Sequence, residues 1–206
     1  MIISTLHRFI FAAIPKTGTH AVRRALREHM GPEDMEQVGL FVKSELPIPE
    51  LARIGHGHLT LEQLRPYFKP EEWSSHFKFA FVRNPFDRFI SYCAFMTRMQ
   101  GQFERNPQQV MRHFVANPPP QHVLFHPQHT FVTDPSGALL TNFIGRVETM
   151  QESYDEICAR IGIPTAALEK VNPSKRLDYR QYYDRELIDG VAKLYVRDLE
   201  LFGYGF

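Results

Sequence analysis

The 206 residues are enough for one domain with a buried sheet and too few for two ordinary ones. Hydrophobic residues make up 43% and charged residues 23%, the balance of a soluble globular chain. A formal charge of +1 argues against a dedicated polyanion binder, which carries a clear basic excess, so no nucleic-acid partner is expected.

No run of about 18 apolar residues is present to span a membrane. The first residues show no charged, apolar and cleavage-site succession, and the chain is expected to be cytoplasmic, without a transmembrane segment. Cys93 and Cys158 fall at apolar positions of helical patterns, as buried thiols do, and neither is expected to react.

In chain order, Phe9 to Ile14 is an unbroken apolar run of the kind that is covered on both faces in a parallel sheet. Val22, Ala25, Leu26 and His29 then recur at helical spacing, with Arg23, Arg24, Arg27 and Glu28 on the other face and Gly31-Pro32 as a stop. Between strand and helix lies Ile14-Pro15-Lys16-Thr17-Gly18-Thr19. The first N–H groups of a helix lack intrahelical partners and stand at the positive end of its dipole, so a Gly-containing turn there can wrap phosphate or sulfate. Lys16 adds a full charge. Taken alone, the turn is equally well an ordinary loop with a surface lysine.

Gln37 to Val42 reads as a short strand, after which Pro47 and Pro49 interrupt regular structure. His56-Gly57-His58 follows, and Thr60 with Gln63 carries a capping-box signal, so the two histidines stand at the entry to a second helix. Phe77 to Val82 is another buried strand. Directly after it, Asn84 is a good N-cap, Pro85 suits the first helical position and Asp87 complements the dipole. Arg83 and Ser91, the latter on the helix face of Asn84, Arg88 and Phe95, would form a second oxyanion site through a guanidinium fork and a hydroxyl. The plainer alternative pairs Arg83 with Asp87.

From Gln100 to His129 the pattern loosens. Asn117-Pro118-Pro119-Pro120 cannot continue a helix, and the segment, with His122, His126 and His129, is expected to be an irregular excursion over the sheet's edge. Leu139 to Ile144 suggests a last short strand. A helix from about Thr149 carries Met150, Tyr154, Ile157, Cys158 and Ile161 on one face and closes at Gly162. The polar Asn172 to Arg176 separates it from a final helix with Leu187, Ile188, Val191, Leu194, Tyr195 and Phe202 on its apolar stripe, ended by Gly203. Strands alternating with helices predict an α/β fold: one domain over 1–206 with a central, mostly parallel sheet flanked by helices.

Two anion-binding turns at strand ends imply a ligand with two separated phosphate-like groups. A Walker-type loop places lysine directly after its second glycine, whereas Lys16 precedes Gly18 here. Pro15-Lys16-Thr17-Gly18-Thr19 instead resembles the 5′-phosphosulfate loop of sulfotransferases, and Arg83-Asn84-Pro85-Phe86-Asp87-Arg88-Phe89-Ile90-Ser91-Tyr92 resembles their R-[ND]-P-x-x-R-x-x-S-x-Y element for the 3′-phosphate. Gln128-His129-Thr130-Phe131, Ile144-Gly145-Arg146-Val147-Glu148 and Phe202-Gly203-Tyr204 are similar to segments of the carbohydrate (Golgi-type) branch. His56-Gly57-His58 is similar to the His-Gly-His of uronosyl 2-O-sulfotransferases, where a histidine is the catalytic base.

The resemblance implies a P-loop-like fold and in-line transfer of a sulfuryl group from 3′-phosphoadenosine 5′-phosphosulfate (PAPS) to an acceptor hydroxyl, a carbohydrate above all, with PAP as product and no metal required. It assigns the base to His58 first and His56 second, and charge stabilisation on the leaving phosphate to Lys16. It assigns donor binding to Pro15, Lys16, Thr17, Gly18, Thr19, His20, Arg83 and Ser91, with Ser174 and Lys175 closing over the adenosine end. His20 stands where many relatives carry Ser or Thr. The competing expectation is a P-loop-like ATP- or GTP-binding kinase or non-catalytic nucleotide-binding protein. A third takes His56 and His58 with His126 or His129 as a hydrolase metal site, although no carboxylate or cysteine nearby completes a ligand set.

Overall fold

The computed structural model describes residues 1–39, 44–169 and 177–206. They fall into two compact units, Met1–Val82 with Thr130–Val171 and Arg83–His129 with Asn172–Phe206. The strands are β1 (Ile2–Ser4), β2 (Phe9–Ala12), β3 (Met35–Glu36), β4 (Phe77–Val82) and β5 (Phe143–Arg146). The helices are α1 (Thr19–Arg27), α2 (Pro49–Ala52), α3 (Leu61–Leu64), α4 (Pro70–Ser75), α5 (Pro85–Thr97), α6 (Gln102–Arg105), α7 (Pro107–Ala116), α8 (Met150–Ile161), α9 (Arg185–Leu194) and α10 (Val196–Phe202).

The first unit holds the sheet, in the order β3-β1-β2-β4-β5. β2, β4 and β5 are parallel, in a register that sets Phe11 beside Phe79 and Phe79 beside Phe143. β1 is antiparallel to both β2 and β3, so β3 runs the same way as β2. One face of the sheet, with Phe9, Phe11, Phe79 and Phe81, packs with Val22 and Leu26 of α1 and Tyr154, Ile157 and Ile161 of α8. Burying such side chains is worth about 1.5–3 kcal/mol each. The Phe11 and Phe79 rings stack at 5.3 Å, a further contribution of about 0.5–1.5 kcal/mol. The other face, with Ile3, Ile10 and Ala80, is fully buried as well. The apolar run from Phe9 therefore forms the central strand β2, covered on both faces as expected.

Several boundaries differ from the sequence expectation. The central strand stops at Ala12, because the Ile14 N–H turns back onto the Ala12 carbonyl at 3.1 Å and leads the chain out of the sheet. β1 was not anticipated; it is three residues long, and the turn after it is held by Asp34, which accepts from the Ser4 hydroxyl at 2.7 Å and the Thr5 N–H at 2.7 Å. The strand expected over 37–42 appears as Met35–Glu36, with Val38 bridged to Ser44; positions 40–43 lie outside the described residues. The last strand begins at Phe143, since Asn142 locks the register through its side chain on the Lys78 N–H at 2.8 Å and its own N–H on the Lys78 carbonyl at 2.7 Å. Gly162, with φ 71, closes α8 in the left-handed conformation.

The second unit is helical. Asn84 caps α5 by accepting from the Phe86 N–H at 3.0 Å, and Pro85 takes the first helical position. Phe86, Phe89, Tyr92 and Cys93 of α5 pack with Met111 of α7 and Leu187 and Val191 of α9. The expected irregular excursion is in large part regular, since α6 and α7 occupy 102–105 and 107–116. The signal for α7 repeats that of α5: Asn106 caps it by accepting from the Gln109 N–H at 3.2 Å and Pro107 follows. The expected single final helix is two, α9 and α10, parted at Tyr195, whose hydroxyl donates to the Phe125 carbonyl at 3.1 Å. Cys93 and Cys158 are buried free thiols. Among the described residues no helix is long and apolar enough to cross a membrane.

Candidate active site

In the first unit, β2 runs out through Ala13 and Ile14 into the turn Pro15–Thr19. Lys16 has φ 66 and Gly18 φ 71, a pair of left-handed residues around Thr17. Left-handed backbone costs a non-glycine residue about 1–2 kcal/mol, and such strain gathers at ligand clamps. Left-handed residues in a turn are the kind of backbone from which anion-binding concavities are built. Gly18 is the N-cap of α1 and supplies no side-chain cap, and no acidic residue stands in the first turn. The positive end of α1 thus has no acidic side chain in its own first turn.

Thr17 is fully buried and its hydroxyl donates to the Ile14 carbonyl at 2.9 Å, so its side chain holds the shape of the turn. A Cβ on Gly18 would come within 2.7 Å of Met150 Cε, and φ 71 disfavours any side chain there. His20 stands in the first turn of α1; partial desolvation and the charges of Arg23, Lys16 and Arg27 lower its pKa. These residues are of the kind that hold an anionic phosphosulfate: two left-handed positions, a helix start without an acidic side chain, and Lys16 between them.

His58 belongs to the same unit. Its Nδ1 lies 2.7 Å from the Ala13 carbonyl, and since a carbonyl only accepts, Nδ1 carries the ring proton and Nε2 presents the lone pair. Ala13 stands two residues before the anion turn. Burial pushes the His58 pKa down to about 3; the Ala13 bond opposes the shift, and the Met1 ammonium, Arg23 and His56 add to it. The ring is therefore neutral at physiological pH. His56 has the opposite tautomer, because its Nδ1 accepts from the His58 N–H at 3.3 Å and the ring proton falls on Nε2. Of the two candidates, His58 has the geometry of a base.

Gly57, between them, has no room for a side chain. A Cβ would lie 2.2 Å from the Gln37 carbonyl oxygen and 2.7 Å from Arg23 Nη2. Gly57→Ala is expected to destabilise the protein by about 1–3 kcal/mol through overpacking against backbone, read as a lower midpoint in urea; an unchanged midpoint would mean the turn is loose.

In the second unit, Arg83 opens the segment leading to α5. Gln128 is fully buried and clamps its backbone, accepting from the Arg83 N–H at 2.9 Å and donating to the Arg83 carbonyl at 2.9 Å. Arg83 Nε pairs with Asp87 at 2.7 Å, the plainer of the two sequence alternatives. Ser91 is 7% exposed on α5. Arg88 of the same motif is buried and donates to the Leu124 and His126 carbonyls at 3.2 and 2.8 Å, which makes it a brace for the 124–126 loop. Ser174 and Lys175, with Asn172 and Arg176, lie outside the described residues.

Sequence reasoning missed two groups. Asp198 of α10 is fully buried and accepts from the Gln128 N–H at 2.7 Å and the His129 N–H at 2.8 Å, with His129 Nδ1 at 2.7 Å. It thereby supports the segment that clamps Arg83. Its signal was a carboxylate at the spacing of the apolar stripe, between Leu194 and Phe202. Arg23, read as part of the solvent face of α1, is 3% exposed. Other histidines have structural partners: His126 Nε2 lies 2.8 Å from the Pro120 carbonyl, and the His122 ring packs on Tyr92. Among the described residues, no group of three or more His, Cys, Asp or Glu side chains is arranged to hold a metal ion.

The turn between β2 and α1 and the neutral imidazole of His58, bonded to Ala13 just past the end of β2, thus belong to one neighbourhood of the first unit. The model of the sulfotransferase family matches residues 1–205, and the chain belongs to that family. It is accordingly a transferase whose chemistry is sulfuryl transfer, and the family's P-loop-like fold accords with the α/β sheet described above. No curated protein and no solved structure matches the chain.

Proposed function

We propose that the chain, acting over 1–206 as a single sulfotransferase domain in the cytoplasm, transfers the sulfuryl group of PAPS to a hydroxyl of a carbohydrate acceptor. His58 is the general base. The observation that carries this reading is the His58 Nδ1 bond to the Ala13 carbonyl, 2.7 Å, which aims a lone pair from beside the anion turn.

The donor supplies an activated sulfuryl group. As the acceptor oxygen bonds to sulfur, His58 Nε2 takes the hydroxyl proton, a contribution of about 10²- to 10⁴-fold. Lys16 and the turn amides take up the charge that grows on the 5′-phosphate oxygen as its bond to sulfur breaks. Pro15, Thr17, Gly18, Thr19 and His20 complete that cradle. Arg83 and Ser91 hold the unreactive 3′-phosphate and fix the donor's register, with Ser174 and Lys175 assigned to the adenosine end. Burial is the main cause of the low basicity of His58; negative charge bound at the turn offsets the smaller part contributed by nearby cations and so raises its basicity when the donor is in place.

Lys16 lies before Gly18 rather than after it, which sets the turn apart from an ATP-type loop. Calorimetry with PAP, with ATP and with ATP plus Mg²⁺ tests the reading. PAP is expected to bind tightly without metal; Mg²⁺-dependent ATP binding with no detectable PAP binding would replace it with the kinase or nucleotide-switch alternative.

A further inference from the structure

The polar network under the His56–His58 turn reaches back to α1. Arg23 sits one turn past the start of that helix. Its Nη1 donates to Glu36 Oε1 at 2.7 Å and to the Gln37 carbonyl at 3.0 Å, and its Nη2 donates to the Gly57 carbonyl at 2.9 Å. Glu36 is 8% exposed and also accepts from Arg27 Nε at 2.8 Å. The Gln37 side chain donates to the His56 carbonyl at 3.1 Å, and the Met1 nitrogen reaches the Gly57 carbonyl at 2.6 Å. The carbonyls of both residues preceding His58 are therefore held.

Burying a guanidinium and a carboxylate costs desolvation, and an apolar side chain could fill the same volume at no loss of stability. A fork is needed only where two directions must be fixed at once, here Glu36 on one side and Gly57 on the other. Gly57 lacks a Cβ in the position that Arg23 Nη2 approaches.

We propose that Arg23 is a positioning residue for the His58 base, locking the turn that carries His58 to the helix that begins at the donor loop. His58 is then tied to both sides of the turn, to Ala13 just after β2 and to α1 through Gly57 and Arg23. The proposal rests on the sulfotransferase reading of the site. A base displaced by about 1 Å loses on the order of 10²-fold in rate, so the lock acts on turnover and leaves donor binding alone.

Arg23→Gln is expected to lower kcat by on the order of 10²-fold, with the KM for PAPS and the affinity for PAP within threefold of wild type. Nitrogen NMR of the His58 ring should show the single Nδ1-protonated tautomer in wild type and a mixture in Arg23→Gln, a change that mere loss of stability does not produce. Arg23→Lys keeps the charge and loses the fork; it guards against failure of the glutamine variant to fold and is expected to recover only part of the turnover. Wild-type kcat in either variant, loss of PAP affinity in step with kcat, or an unchanged tautomer in Arg23→Gln overturns the proposal. If wild type itself binds no PAP, the sulfotransferase reading fails instead; if wild type binds PAP and His58→Ala abolishes transfer while the Arg23 variants remain active, only this inference fails.

Discussion

Lys16→Ala is expected to reduce sulfuryl transfer by on the order of 10²- to 10³-fold, the loss that follows removal of one preorganised charge-stabilising donor. The effect belongs on kcat, because the ammonium is needed most when the leaving phosphate oxygen gains charge; acceptor KM should hardly move. Backbone strain does not confuse the result. Lys16 has φ 66, and alanine carries the same Cβ and the same left-handed penalty. Single-turnover transfer with saturating PAPS reads the chemical step directly, and equal turnover in the variant would remove Lys16 from the mechanism.

His58→Ala is expected to abolish measurable transfer, a loss of about 10²- to 10⁴-fold, while PAP affinity by calorimetry stays within a few-fold of wild type. The substitution forfeits one hydrogen bond to the Ala13 carbonyl, worth about 1 kcal/mol. Thermal unfolding therefore separates loss of the base from loss of the fold. His56→Ala should be the milder of the two, since its Nδ1 is occupied by the His58 N–H. The reverse order would move the base to His56.

The parts of this site legible in the sequence are those set by local chemistry. Gly18 ends an apolar run and opens a helix, Asn84 and Pro85 start another, and Thr60 with Gln63 forms the expected reciprocal cap. The parts that were not legible depend on partners distant in sequence. Arg23 looks like Arg24 in a helical wheel, yet one is 3% exposed and the other pairs with Glu169 at the surface. What draws Arg23 inward is Glu36, Gln37 and Gly57, and no local rule brings them together. The tautomers of His56 and His58 are likewise set by single contacts, one of them to Ala13 across 45 positions. Asp198 was visible as a charge at stripe spacing but not as the support of Gln128 and His129, which are separated from it by 70 and 69 positions. The Asn106–Pro107 helix start follows the same local rule as Asn84–Pro85, an Asn cap followed by proline in the first turn, and is legible in the sequence by it.

Transfer of radiolabelled sulfate from PAPS, assayed against saccharides, lipids and small alcohols with wild type and His58→Ala side by side, tests the central claim most directly. The account predicts label on a saccharide hydroxyl with wild type, without added metal, and none with His58→Ala. Undiminished transfer by His58→Ala, or no transfer to any acceptor class by a wild-type protein that also fails to bind PAP, would contradict it.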